Sequence, residues 1–335
     1  MHNDVTVKID LAKPIGKVGF GVPLILCESA VKAVEYVECA NIAEVAEAGF
    51  AAASKAYKAA QLIFAQVNAP KRIAMCAVTE AATAALADEA LTSKDWRQLI
   101  VVNEGESETA VADLITAVEA LEGKMLFVSL DVEDSTAVTA TGLRHTILFY
   151  VDATDEAPVP AAALVGESAG REAGSFTYKN LILHGIAPQK LTDAQLKAIH
   201  DKGGITFVAK AGDNVTSEGK VAGGEYIDVI DSEDYIVQQI AYKTQKVLNN
   251  AAKVPYTNAG IAMLESAVVD VLQSAYNNGM IATKADGTPD YSVDFALRED
   301  TTAENRNNRH YPYGNFGFAL AGAIHTAYIT GEITV

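Results

Sequence analysis

The sequence predicts an α/β fold in which helices cover a mainly parallel sheet, followed by a smaller α+β region. From residue 22 to residue 151, short apolar runs of the buried-strand type alternate with helical patterns. This alternation is typical of parallel sheets. Half of the 335 residues are hydrophobic and 21% are charged, so the chain can bury a sizeable core.

Signals for individual elements follow one another along the first region. Asn41, with Glu44 three residues later, is a capping-box pattern that predicts the start of a long Ala-rich helix. Thr79 and Ser107 are predicted to begin two further helices, the second of which ends at Gly123. The predicted strands are residues 23–27, Ile73–Val78, residues 99–102, Met125–Leu130 and residues 145–151.

The second region begins after residues 152–175, a stretch rich in Pro, Gly and Ala that predicts a break in regular structure. Thr192 is predicted to cap a short helix, and residues 203–224 to form a hairpin or short meander. Acidic residues 231–234 favour a helix start, because negative charge suits the N-terminal end of the helix dipole. An amphipathic helix is predicted over residues 262–278.

Both ends of the chain have period-two strand patterns without a partner nearby in sequence. Their alternating apolar residues are Val5, Val7, Ile9 and Leu11 at one end and Ile329, Ile333 and Val335 at the other. The residues that predict a flexible joint after the first strand are Pro14, Gly16, Gly19 and Gly21. Each end strand is expected to pair with a distant part of this chain or with another chain.

The formal net charge of −17 argues against a broad nucleic-acid-binding face, which needs basic residues to neutralise phosphates. No apolar run approaches the roughly 20 residues of a membrane-spanning helix. The first residues have no basic and apolar segments, so no signal peptide is expected. Cys27, Cys39 and Cys76 lack zinc-site spacing and are expected to be reduced thiols in a protein made in the cytosol.

One enzymatic motif is present at residues 166–170, which match G-x-S-x-G, the nucleophile elbow of α/β-hydrolases. Ser168 would be the nucleophile, and the candidates for the rest of a triad are Asp193 or Asp201 and His310 or His325. The residues before the motif, 158–163, make a poor central strand, and no oxyanion glycine run precedes them. A turn of small residues is therefore favoured, and a serine hydrolase is kept as the alternative function.

No cofactor or metal site is predicted. Residues 16–21 contain glycines but not in the G-x-G-x-x-G order, and the P-loop pattern is absent. None of the six histidines forms a close pair of metal ligands, and Asp286, Asp290 and Asp294 lack EF-hand spacing.

Charge is unevenly distributed. Residues 104–134 contain nine acidic residues and one basic residue, which is typical of a solvated surface. Lys243, Lys246 and Lys253 lie within one helical segment with no acidic residue between them. A local group of basic residues in an acidic protein favours docking on a complementary surface.

Segments that follow one another along the chain resemble the contractile tail sheath proteins of phages and R-type bacteriocins. The segment K-V-P-Y-T-N-A-G-I at residues 253–261 resembles their signature K-[IV]-P-Y-T-[DN]-x-G-I. The other similar segments are residues 5–9 with 19–26, the Gly/Ala-rich residues 162–174, residues 224–236 with G-E-Y-I-D and D-Y-I, R-H-Y-P at 309–312 and A-G-A-I-H at 321–325.

This resemblance implies four parts. They are an N-terminal extended arm (1–21), an outer α/β domain (22–175), a conserved inner, tube-facing sheath domain (176–326) and a C-terminal strand arm (327–335). The arms are implied to leave the subunit and add strands to the sheets of neighbours, with the apolar residues of the end strands in the pairing and the flexible joint as a hinge.

The implied function is structural: a subunit that polymerises as helical rings around an inner tube and contracts to drive the tube through a target cell envelope, without enzymatic activity. The implied partners are neighbouring copies, the inner tube protein, and baseplate and tail terminator proteins. Lys243, Lys246 and Lys253 are the candidate tube contact.

The implied location is a virion tail or a headless bacteriocin particle, built from protein made in the bacterial cytoplasm. Neither nucleic-acid binding nor direct membrane insertion is implied. A tail tube protein or another virion scaffold is a further alternative, although a large α/β region is unlike a small β-barrel tube protein.

Overall fold

The computed structural model describes residues 21–28, 32–104, 109–134 and 142–326. The chain divides into two compact units, the first ending at Asn250 and the second beginning at Ala251. The predicted end strands and the joint residues Pro14, Gly16 and Gly19 lie outside the described residues.

The first unit is built on an eight-stranded sheet. Its strands are β1 (Val22–Glu28), β2 (Val34–Cys39), β3 (Ile73–Val78), β4 (Trp96–Asn103), β5 (Met125–Leu130), β6 (Thr146–Tyr150), β7 (Gly204–Lys210) and β8 (Asp213–Thr216). The strand order is β2-β3-β1-β4-β5-β6-β7-β8. The six inner strands, β3, β1, β4, β5, β6 and β7, pair in parallel with one another. The edge strands β2 and β8 pair antiparallel with their neighbours.

Helices cover both faces of this sheet. They are α1 (Ile42–Glu47), α2 (Lys55–Phe64), α3 (Ala82–Ala87), α4 (Glu89–Thr92), α5 (Val111–Glu119), α6 (Ala161–Ala169), α7 (Asp193–Asp201) and α8 (Ile227–Asn250). Because successive strand residues point to opposite faces, Ile25 packs with α1, α2, α6 and the start of α8, and Leu24 packs with α3, α4, α5 and α7. The predicted α/β class is confirmed.

Two predicted helices are each divided in two. Asn41 does cap α1, accepting hydrogen bonds from the backbone of Ala43 and Glu44, but the chain turns at Gly49, where φ is +105°, and α2 starts separately. The helix predicted from Thr79 instead begins at Ala82 and is interrupted at Asp88, whose side chain caps α4.

The predicted break over residues 152–175 is wrong in its centre, where α6 is a helix buried along nearly all of its length. Because α6 is buried on all sides, Glu167 and Ser168 included, its sequence shows no amphipathic period that would predict a helix. Gly166 and Gly170 let α6 approach the α2 segment closely, since a Cβ there would lie 2.6 Å from the Ile63 oxygen and 1.9 Å from the Asn68 oxygen.

The region after α6 follows the predictions more closely. Thr192 caps α7 in a complete capping box with Gln195, and β7 and β8 form the predicted hairpin. The next helix, α8, begins at Ile227, so the acidic residues 231–234 lie in its second turn rather than at its start.

The predicted domain boundary after residue 175 falls inside the first unit. The reason is that β7 pairs in parallel with β6 and thereby continues the same sheet. The first unit also includes α8.

The second unit is smaller. It contains α9 (Asn258–Asn277), β9 (Tyr291–Phe295), a 3₁₀ turn at Arg298–Asp300, α10 (Ala303–Asn307) and β10 (Gly314–Phe318). Strands β9 and β10 form a two-stranded antiparallel sheet. The predicted amphipathic helix corresponds to α9, which is followed by Gly279 at φ +80°, as expected of a helix C-terminus.

Candidate functional site

The two-stranded sheet of the second unit has one apolar and one polar face. Tyr291, Val293 and Phe295 are half-buried, and the Tyr291 hydroxyl donates to Gln273 Oε1 of α9 at 3.1 Å. Ser292 and Asp294, which alternate with them, are exposed. The sheet therefore packs its apolar face towards α9 and leaves a polar face open.

Within the described residues β9 and β10 have each other as their only neighbouring strand, and beyond one end of the sheet Ile281 and Thr283 form isolated bridges with Leu320 and Pro289, so most of each edge is open. An open edge presents backbone donors and acceptors that another strand can pair with. After β10 the chain continues through exposed residues 321–324, and Ile324 is 90% exposed.

Gly21 is the one predicted joint residue that the structure describes. It has φ +88°, and a Cβ there would lie 2.8 Å from the backbone nitrogen of Arg97. The next residue, Val22, donates to the Asp95 oxygen at 3.1 Å. The position therefore requires glycine for both conformation and space, and Gly21 is a tightly packed bend.

Two of the three candidate lysines share one face of α8. Lys243 and Lys246 are three residues apart, and Lys246 is exposed while Lys243 is half-buried. The Lys246 ammonium lies 5.9 Å from the centre of the Tyr242 ring. Lys253 is exposed and follows the end of α8.

A buried ionic cluster, which the sequence analysis missed, fixes the start of α8 to the sheet. Arg97 of β4 donates to Asp231 Oδ1 at 3.1 Å through Nε and to Asp234 Oδ2 at 2.9 Å through Nη1. The Tyr178 hydroxyl donates to Asp231 Oδ2 at 2.9 Å. Arg97 and Asp231 are only 5% and 4% exposed. The spacing of Asp231 and Asp234 places both on one face of a helix, which indicates a shared partner. No local pattern identifies that partner, Arg97, because it lies 134 residues before Asp231.

Ser168 is not at a nucleophile elbow. It lies within α6, is 3% exposed, donates to the Val165 oxygen at 3.2 Å and accepts from Gln98 Nε2 at 3.1 Å. Of the proposed triad partners, Asp201 pairs with Lys197 at 2.6 Å, and the two candidate histidines belong to the second unit. Nothing in this geometry supports the serine hydrolase alternative.

Several acidic residues of the acidic stretch have structural roles. Glu104 accepts the backbone N–H of Ala56 at 2.7 Å. Glu119 accepts from the backbone of Arg144 and His145 and from the Thr146 hydroxyl, at 2.7–3.0 Å. Burial alone would raise the pKa of Glu119, but these hydrogen bonds lower the pKa to about 2. Glu104 is exposed, as a solvated acidic surface predicts, whereas Glu119 is half-buried and departs from that expectation.

Glu28 is the last residue of β1. In the sheet β1 lies between β3 and β4, so the strand order reverses at β1. In doubly wound sheets this switch point is the usual ligand crevice. The Glu28 carboxylate is 4% exposed and accepts from the Ala82 backbone at 2.7 Å, at the start of α3. It also accepts from the backbone and hydroxyl of Thr109 and from the Asn103 amide.

Within the described ranges, no group of three or more His, Cys, Asp or Glu side chains is arranged to hold a metal ion. None of the helices described is long and apolar enough to cross a membrane.

Comparisons with known proteins give one consistent result. Residues 227–333 match the family model for the E217 tail sheath protein gp31-like, C-terminal domain. This match begins at the first residue of α8. A search of curated proteins finds no match to the sequence.

Solved structures match over nearly the whole chain. One is the PVC sheath complex of an extracellular contractile injection system in its contracted state, with 14% identity, 100% and 99% of the two chains covered and a TM-score of 0.73. Another is the baseplate of the anti-feeding prophage, with 16% identity, 100% of both chains covered and a TM-score of 0.72.

A third is the sheath tail protein Lin1278 from Listeria innocua, with 10% identity, 92% and 97% covered and a TM-score of 0.54. Together with the family match, these likenesses confirm the resemblance to contractile tail sheath proteins that the sequence motifs indicated.

Proposed function

We propose that this chain is the structural subunit of a contractile sheath, which polymerises as helical rings around an inner tube and contracts to drive the tube through a target cell envelope. The observation that carries the proposal is the likeness of fold, over the whole chain, to the sheath chain of a contracted injection system. The family match to a tail sheath C-terminal domain supports it independently. Both favour a polymer subunit over a catalyst.

The open sheet of the second unit is the proposed acceptor of strands from neighbouring copies. A two-stranded sheet is marginally stable alone, and added strands satisfy its edge hydrogen bonds. The alternating residues of the N-terminal arm, Val5 to Leu11, match the period-two faces of β9 and β10. Added in register, they would extend the apolar face of Tyr291, Val293 and Phe295. The C-terminal arm with Ile329, Ile333 and Val335 has the same alternation.

The three lysines, Lys243, Lys246 and Lys253, are the proposed contact with the tube. Polar contacts of exposed lysines are individually weak, which suits an interface that must break when the sheath contracts. In this proposal the matched region, residues 227–333, faces the tube.

The proposed partners are neighbouring copies, the inner tube protein, and baseplate and terminator proteins at the two ends of the sheath. The proposed location is an assembled tail or bacteriocin-like particle. The proposed role requires no enzymatic activity of the subunit.

Electron microscopy of the purified full chain tests the polymer proposal. We expect hollow tubes at high protein concentration, and a protein that stays monomeric at every concentration, even when its tube protein is co-expressed, would contradict it.

A deletion of residues 1–11 tests strand addition separately. We expect the shortened chain to remain a folded monomer with unchanged circular dichroism and to form no tubes, because the acceptor sheet lacks its added strand. The matched control replaces Thr6, Lys8 and Asp10 by serine, which keeps the apolar alternation. Normal tubes from the deleted chain would overturn the arm assignment while leaving the sheath proposal intact.

The tube contact is tested by the double variant Lys243→Glu and Lys246→Glu, with Lys71→Glu as an exposed control on the first unit. We expect loss of extended sheath on the tube and no change in monomer folding. Normal extended sheath in the double variant would refute the contact.

A further inference from the structure

Three basic side chains and a buried serine converge where α7 meets the β7–β8 hairpin; we call this the His200 cluster (Lys179, His200, Lys210, Ser217 and Glu218). His200 Nε2 lies 2.9 Å from Ser217 Oγ. Lys210 Nζ donates to the Ser217 backbone oxygen at 3.1 Å. Lys179 Nζ lies 3.6 Å from Glu218 Oε2. The cluster is thus assembled from α7, β7 and the segments before and after the hairpin.

Positive charge exceeds negative charge in the His200 cluster. Glu218 pairs with Lys179, and Asp201, the other carboxylate acting on His200, pairs with Lys197 at 2.6 Å. Burial lowers the pKa of His200, so the surplus positive charge is that of Lys210, which forms no ion pair with any residue that the structure describes. Burial lowers the pKa of Lys210, and the nearby Lys179 lowers it further. The Lys179 side chain is only 12% exposed, so solvent screens this repulsion incompletely.

The serine of the cluster is a structural residue. Ser217 is 1% exposed, and its Oγ accepts the backbone N–H of Thr206 at 3.1 Å while it contacts His200. Its burial leaves no room for attack on a substrate, so the Ser–His contact fixes the imidazole in place. The polar atoms that remain accessible belong to half-buried His200 and Lys210.

We propose that the His200 cluster is a docking site for a carboxylate side chain of a second copy of this chain. The inference rests on the proposed function, because it needs neighbouring copies. Each copy has a net charge of −17, so packed copies repel one another and offer carboxylates in abundance. A partly buried site with surplus positive charge supplies local complementarity that offsets this repulsion and fixes the register between copies.

The test compares the threshold concentration for tube formation of the full chain with that of Lys210→Met. We expect the threshold to rise about tenfold in this variant, since removing one partner of a partly buried charge pair weakens an interface by at least that factor. Lys210→Arg keeps the charge and is expected to restore tube formation. Lys71→Met, an exposed lysine on the same unit, is the matched control and is expected to change nothing.

Three results would overturn the proposal. The first is an equal threshold for Lys210→Met and the wild-type chain, which leaves the sheath proposal itself standing. The second is failure of Lys210→Arg to restore assembly in a folded monomer, which would assign the lysine a packing role. The third is a pair of observations: millimolar inorganic phosphate stabilises the monomer only when Lys210 is present, and Lys210→Met assembles normally. The site would then bind free anions and not a carboxylate of a second copy.

Discussion

The two compact units differ in how completely they bury their strands. In the first unit the central strands are buried on both faces, and Trp96, Phe149 and Phe207 are at most 1% exposed. In the second unit neither β9 nor β10 contains a fully buried residue. The first unit has a complete core of its own, whereas the strands of the second are half-buried at most within the described residues.

Polar interactions differ in the same way. The first unit encloses the ion pairs of Arg97 at about 6% side-chain exposure. The side-chain hydrogen bonds of the second unit are exposed, as from Asn258 to Glu299 at 3.1 Å, or at most partly buried, as from Tyr291 to Gln273. We therefore expect most of the stabilising interactions to lie in the first unit. Matched substitutions in the two units measure this difference directly.

The largest expected effect is that of a core deletion. Phe149→Ala should destabilise the first unit by about 3–5 kcal/mol, because it removes a fully buried ring and leaves a cavity. The matched change, Phe316→Ala on half-buried β10, should cost about 1 kcal/mol. Urea denaturation of the monomers measures both, and equal losses would contradict the comparison.

Removing the buried guanidinium should have the next largest effect. Arg97→Met leaves Asp231 buried without its cation and should lower the free energy of unfolding by about 3 kcal/mol. The double variant Arg97→Met and Asp231→Asn should recover part of this loss, since the fully buried carboxylate is then neutral and only Asp234, whose side chain is 20% exposed, has lost its cation. Absence of any recovery would show that packing of the arginine stem dominates instead.

The pH dependence of stability tests Glu119. Its folded-state pKa of about 2 is below the ordinary value of 4.5, so its contribution is complete above pH 4.5 and is lost as pH falls towards 2. We expect about 2 kcal/mol of acid-sensitive stability from this group. Glu119→Gln should show a correspondingly flatter stability curve between pH 4.5 and pH 2, measured by thermal unfolding. Identical curves would contradict this role.

The smallest expected effect is that of a helix cap. Thr192→Ala removes the side-chain acceptor of the Gln195 backbone N–H and should destabilise the first unit by about 1 kcal/mol. Thr302→Ala removes the equivalent cap of α10 in the second unit and should leave the main unfolding transition unchanged. Differential scanning calorimetry distinguishes the two, and a shift of the main transition by Thr302→Ala would show that the units unfold together.

Local signals predicted much of the fold. The strand patterns at β3 and β5, the cap at Thr192 and the end of α9 at Gly279 depend on neighbours in sequence, and they are found where predicted. Strand β2 was missed because V-E-Y-V-E-C does not alternate strictly: Tyr36 and Val37 are adjacent apolar residues, where the pairing with β3 shifts register.

Features set by distant contacts were not predictable from local patterns. Helix α6 looked like a loop because its glycines are needed for packing against α2 rather than for turns. The Arg97 cluster joins residues 134 positions apart. The candidate sites were predicted from family motifs and from single sequence patterns. The end strands lie outside the described residues, so strand addition stays a prediction.

Glu28 has a consequence for what the crevice at the switch point can hold. Its carboxylate lies at the helix start and strand reversal where related sheet architectures hold the phosphates of a nucleotide. The protein therefore carries a covalently attached anion in place of an exchangeable one. Because this anion is part of the chain, the order of the helix start does not depend on the concentration of any dissolved ligand.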